Sequence, residues 1–180
     1  MATNNQQKSV AGSMREIVFG LEDGLVSTLG AVTGIAAGAN DRFIVILSGL
    51  VLVAVESLSM AAGSYLSSKS AADAESVLDH RHKHQSLPLR AAWVMGVCYV
   101  FGGVVPVVPY FFLPVAQSYA PSILSTLFVL FLVGVWSGKQ TRRPPVRNGI
   151  KMVMISTSAA ILGFLIGRLV SYYFHIEINA

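Results

Sequence analysis

The sequence predicts an all-α integral membrane protein of five transmembrane helices, and three observations carry that reading. Only 12% of the 180 residues are charged while 53% are hydrophobic, giving a mean hydropathy of +0.61; a soluble domain carries about a quarter charged residues. Five continuous apolar stretches are each long enough for the ~20 residues that a helix needs to cross a bilayer. Finally, 11 of the 13 basic residues fall in segments that five alternating crossings put on one side.

The spans are expected at about 17–39, 43–67, 91–113, 119–136 and 150–173, forming one transmembrane domain over 1–180. Their apolar runs are unbroken and lack the period-two alternation of a barrel strand. The polar opening, Met1 to Arg15, has no apolar core or small-residue cleavage site of a signal peptide, so the first span is expected to be retained. Asn40-Asp41 makes a tight turn and supplies a cap for the second helix. Pro106, Pro109 and Pro114 are expected to kink the third span or end it early. Residues 68–90 form a short loop, whose first part, Ala71 to Leu78, can extend the second helix.

Charge sets the direction. Lys8, Arg15, Lys69, Arg81, Lys83, Arg90, Lys139, Arg142, Arg143, Arg147 and Lys151 flank one side, against Arg42 and Arg168 on the other. The positive-inside rule then places the N-terminus in the cytosol and the C-terminus outside. The net charge of +4 is therefore a topology signal directed at anionic lipid headgroups, and a nucleic-acid partner is not expected. The lone Cys98 excludes an internal disulfide and reads as a small packing residue. No nucleophile–base pair or phosphate-binding glycine loop is discernible, so an enzyme is not expected.

Carboxylates inside the spans carry the chemistry. Glu22 and Asp23 lie in the first span and Glu56 near the middle of the second, where an acid costs about 2.5–3.5 kcal/mol to insert. Asp23 lies about 10 Å along the first helix, and Met60 occupies a similar depth in the antiparallel second. Glu16 is two turns below Asp23 on nearly the same face, and Glu56 and Met60 are an i,i+4 pair. Glu22 points about 100° away from Asp23 and ranks lower. The ladder of Glu16, Asp23 with Met60, then Glu56 combines hard oxygens with a soft thioether, which suits Fe²⁺, Mn²⁺, Co²⁺ or Zn²⁺. One protomer offers few ligands, and a two-fold axis beside the first span would double Asp23 and Met60. Gly20, Gly24, Gly30 and Gly34 have Gly-xxx-Gly spacings that suit close approach, either across such an axis or within one protomer.

The stretch Arg15-Glu16-Ile17-Val18-Phe19-Gly20-Leu21-Glu22-Asp23-Gly24-Leu25, with Ser59-Met60-Ala61-Ala62-Gly63-Ser64-Tyr65-Leu66-Ser67, resembles the vacuolar iron transporter family. The resemblance implies a homodimer with the ion path between protomers, and export of Fe²⁺ and often Mn²⁺ from the cytosol in exchange for protons. The metal is then the transported substrate, and no permanently bound cofactor is implied. Glu16 takes the place of the family's cytosolic-mouth acid, Asp23 of its intramembrane aspartate and Met60 of its metal-contacting methionine. Ser64 stands where the family carries a glutamate, and Glu56 where it is usually small. The glutamate-rich metal-binding domain that many members insert between spans 2 and 3 has no room here. The short loop instead holds Asp79, His80, His82 and His84 after Glu75, an auxiliary metal-capture segment or a solvated basic loop reinforcing topology.

The function expected is divalent-metal export, with a proton or cation channel, or a non-transporting scaffold or metal sensor, as the alternatives. Lipid, metal ions, protons and a second copy of the chain are the expected partners. The lack of a metal-gathering domain points to a prokaryotic plasma membrane, with an organelle membrane as the other choice.

Overall fold

Each apolar stretch forms one α-helix: α1 (Ala2–Ala39), α2 (Arg42–Leu78), α3 (Pro88–Phe112), α4 (Val115–Gln140) and α5 (Pro145–Tyr173). The computed structural model describes residues 2–78 and 88–173, and the side chains of 13–74 and 88–173. All five helices are long and apolar enough to cross a membrane, and no strand occurs among the described residues. The helices overrun the apolar stretches. The fourth begins at Val115 and ends at Gln140, because its less apolar ends still complete backbone hydrogen bonds.

The bundle is arranged around α1. This helix packs on α3 and α5 most extensively, and also on α2 and α4. Leu25, Leu29, Val32 and Ala36 on it are fully or almost fully buried. Val32 and Ala36 join Val45, Val107 and Tyr110 in one cluster, and Leu25 joins Leu130, Val133 and Met152 in another. The outer faces of α2 and α5 present Phe43, Leu58, Leu165 and Tyr172 outward, as a lipid-facing wall requires.

Lipid tails are as apolar as leucine, so helices in a membrane associate through close packing more than through exclusion from water. The glycines of α1 supply that closeness in two directions. A Cβ on Gly20 would come within 2.7 Å of the Met95 carbonyl oxygen on α3. One on Gly34 would come within 2.6 Å of the Gly163 carbonyl on α5. Gly24 likewise faces the backbone of Tyr99 and Gly103, and Gly30 faces Ala159. Of the two uses left open for the Gly-xxx-Gly spacings, the structure therefore shows packing within the chain.

The connections follow their local chemistry. Asn40 adopts a left-handed φ of 47°, and the Asp41 carboxylate accepts the Ile44 N–H at 2.9 Å, capping α2. Arg42 reaches across to donate to the carbonyls of Tyr110, at 2.8 Å, and Phe111, closing the C-terminus of α3. Pro106 and Pro109 do not end α3 early. The helix runs through both to Phe112, while Pro114 stands at the N-cap of α4. α4 contributes hydroxyls at this end: Ser122 donates across to the Pro106 carbonyl of α3 at 2.7 Å, and Ser118 donates to the carbonyl of Pro114, its own helix's N-cap, at 2.9 Å. At the other end of α4, Arg143 N–H bonds the Gly138 carbonyl at 3.0 Å and Arg142 N–H that of Lys139 at 3.4 Å. With Arg142 at φ 54°, this is a Schellman stop, followed at once by Pro144-Pro145. The basic run is thus also the turn that ends one crossing and starts the next.

Because backbone faces backbone at Gly34, a side chain there has nowhere to move. Gly34→Val is expected to destabilise the bundle by about 1–3 kcal/mol, as overpacking does, seen as a lowered melting temperature in detergent. Leu165→Ala, on the outward face of α5, is expected to stay within about 0.5 kcal/mol of the parent.

Candidate functional site

The polar residues of the first three helices converge where α1, α2 and α3 meet. Gly20 and Gly24 let α3 lie against α1, and Asp23 sits between them, partly buried. Glu56 on α2 is also partly buried, and it lies close enough to Asp23 for the two carboxylates to act on each other electrostatically. Two acids from different spans, 33 positions apart in sequence, are brought into one neighbourhood. Glu22 is partly buried and feels Asp23 as well, as expected of its sequence neighbour.

Tyr99 of α3 completes the junction. It is fully buried, and its hydroxyl lies within electrostatic reach of both Asp23 and Glu56. That hydroxyl is 2.7 Å from Ser27 Oγ, and Ser27 Oγ donates to the Asp23 carbonyl at 2.6 Å. A serine hydroxyl has one hydrogen, so the Ser27–Tyr99 bond has the tyrosine as donor. The chain Tyr99 to Ser27 to Asp23 carbonyl ties α3 to the turn of α1 that bears the acid. Next to it, the buried Thr28 Oγ1 lies beside the Tyr99 hydroxyl and faces Gly103 of α3. Sequence reading passed over these hydroxyls, since Ser, Thr and Tyr are ordinary in membrane helices and only pairing shows their use. The one available signal is that Tyr99 lies between Gly96 and the Gly102-Gly103 pair, where α3 approaches its neighbours closely.

The remaining residues of the ladder fall as follows. Met60 is partly buried one turn beyond Glu56, and Ser64 a further turn along the same face, its hydroxyl buried without a protein partner. Glu16 is only 2% exposed, two turns from Asp23, and its Oε1 accepts from Arg15 Nη2 at 2.9 Å. It is thus a buried acid held by an exposed arginine. Among the described residues, no group of three or more His, Cys, Asp and Glu side chains gathers as a metal-binding set. Asp79, His80, His82 and His84 lie outside the described residues, as does the side chain of Glu75. Chemically, the junction offers paired carboxylates and neutral hydroxyls at membrane depth, a setting that attracts a cation.

The sequence model of the VIT family matches this chain over residues 14–87 and 74–168, nearly the whole bundle. An uncharacterised protein of Methanocaldococcus jannaschii is 30% identical over 169 residues, covering 86% of this chain and 88% of its own length. Vacuolar iron transporter 1 of Eucalyptus grandis is 24% identical over 84% of both chains. Vacuolar iron transporter homolog 2 of Arabidopsis thaliana is 28% identical over 89% of this chain and 85% of its own. Five membrane-crossing helices and a family match over most of their length lead to one conclusion: the chain belongs to the VIT family, whose members are transporters and not enzymes.

Proposed function

We propose that this protein carries a divalent transition-metal ion, Fe²⁺ or Mn²⁺, out of the cytosol in exchange for protons, working as a homodimer. The observation that carries the proposal is the Asp23–Glu56 pair, two partly buried carboxylates from different spans close enough to feel each other's charge. Two neighbouring negative charges in a low-dielectric setting need compensation. Two protons supply it, and so does one divalent cation. Alternation between those two loads is proton–metal exchange, with no net charge left buried in either state.

Met60, one turn from Glu56, adds a thioether, which favours a borderline transition metal over Mg²⁺ or Ca²⁺. Glu16 serves as the receiving acid on the way in, since Arg15 is exposed and its ion pair is easily exchanged for a metal. A second copy supplies the ligands one chain lacks, bringing a second Asp23 and Met60 to the shared path. The plant relatives, a vacuolar iron transporter and a vacuolar iron transporter homolog, support iron as the substrate. The basic flanks of the spans support an N-in, C-out orientation and hence outward transport, and the archaeal relative supports a prokaryotic plasma membrane. The residues from Glu75 to His84 remain an auxiliary capture segment at the cytosolic face in this reading.

The test is reconstitution in liposomes with a metal-sensing dye and a pH dye on opposite sides. Wild type is expected to move metal with counter-movement of protons, whereas Asp23→Ala loses at least about 90% of the initial rate, the scale of one lost tenfold interaction. Metal flux without proton movement would replace the exchanger by a channel, and unchanged flux in Asp23→Ala would remove the site.

Metal binds only deprotonated carboxylates, so acidifying the loading side is expected to slow transport and acidifying the receiving side to speed it. Glu56→Gln keeps the shape of the side chain but removes one charge. It is expected to flatten this pH dependence and halve the number of protons exchanged per metal ion, read from the ratio of the two dyes.

A further inference from the structure

A second built feature lies on the outer wall of the bundle, away from the Asp23–Glu56 junction. Between α2 and α3 runs an open groove of about 680 Å³. Its floor is made of small residues, among them Ala61, Ala62 and Gly96, and its rims of large ones, among them Tyr65, Trp93 and Phe101. Leu89 to Phe101 along α3 marks its length, about 18 Å at the helical rise. That is close to one leaflet's half of the ~30 Å hydrocarbon core. Trp93 is 68% exposed and lies in the second turn of α3, near the end of a span, where tryptophans concentrate in membrane helices.

Two basic residues flank one end of the groove. Lys69 is one turn beyond Tyr65 on α2, and Arg90 lies beside Leu89 and three residues before Trp93 on α3; both are exposed.

We infer that the α2–α3 groove binds an anionic phospholipid, one acyl chain lying along the Ala61–Gly96 floor and the phosphate-bearing headgroup held by Lys69 and Arg90. An apolar channel about one leaflet long fits a single acyl chain. The basic pair at the mouth supplies the selectivity, since each Lys or Arg near a membrane surface favours an anionic lipid about fivefold.

The experiment uses the purified full chain in mixed micelles and two probes of matched tails, phosphatidylglycerol and phosphatidylcholine, each brominated on the acyl chains. In a Trp136→Phe background, which leaves Trp93 as the sole tryptophan, brominated phosphatidylglycerol is expected to quench fluorescence at about a 25-fold lower mole fraction than brominated phosphatidylcholine, about fivefold from each basic residue. The double change Lys69→Gln, Arg90→Gln is expected to erase that preference while leaving quenching itself. Val97→Trp, in the groove wall, is expected to lower retention of both lipids in native mass spectrometry. Equal quenching by the two lipids in the parent, or a preference that survives loss of both basic residues, overturns the assignment. Loss of dimers in Val97→Trp with lipid retention unchanged also overturns it, assigning the groove to a second copy of the chain.

Discussion

The distance of closest approach between α1 and its neighbours governs this bundle. Gly20 and Gly24 bring α3 against it, and Gly30 and Gly34 bring α5 against it, each contact made backbone to backbone. Dispersion contacts of this kind are individually small and strongly distance-dependent. In a membrane they are a main source of cohesion, because burial from lipid contributes little. A single helix so densely used on two sides becomes the fixed element about which the others are arranged. Its other two neighbours, α2 and α4, add apolar packing through Val45 and Leu130.

The same close approach makes the polar junction. With α3 held against Gly24, the ring of Tyr99 reaches Ser27, and Ser27 reaches back to the Asp23 carbonyl. The turn bearing Asp23 is therefore anchored by hydrogen bonds that engage its backbone carbonyl and not its carboxylate. Glu56 arrives from α2, a helix packed on both α1 and α3. Had α1 carried larger residues at positions 20 and 24, neither Tyr99 nor the two acids would meet in this arrangement.

Away from the junction, polar side chains act as fasteners. Asp41 and Arg42 secure one end of the bundle, capping α2 and closing α3. Ser122 of α4 donates across to the Pro106 carbonyl of α3, and Ser118 fastens the first turn of α4 at Pro114. The basic turn from Lys139 to Arg143 ends α4 by its own backbone geometry before its charge plays any part. Arg42 also explains itself here: a basic residue on the sparsely charged side is engaged with carbonyl oxygens.

The number of helices and the Asp41 cap could be read from the sequence, because each depends on composition or on contacts a few residues apart. The acids at 23 and 56 stood out for the same reason, a charge within an apolar run being visible without any fold. The partners of those acids were not visible, since Tyr99 lies 76 positions from Asp23 and nothing local distinguishes it from any other membrane tyrosine. Likewise, the spacing of Gly20, Gly24, Gly30 and Gly34 announced close packing but not against what. Only the tertiary arrangement decided that, turning the first two toward α3 and the next two toward α5. A periodic pattern defines a face of a helix; which neighbour covers that face is a property of the whole assembled chain.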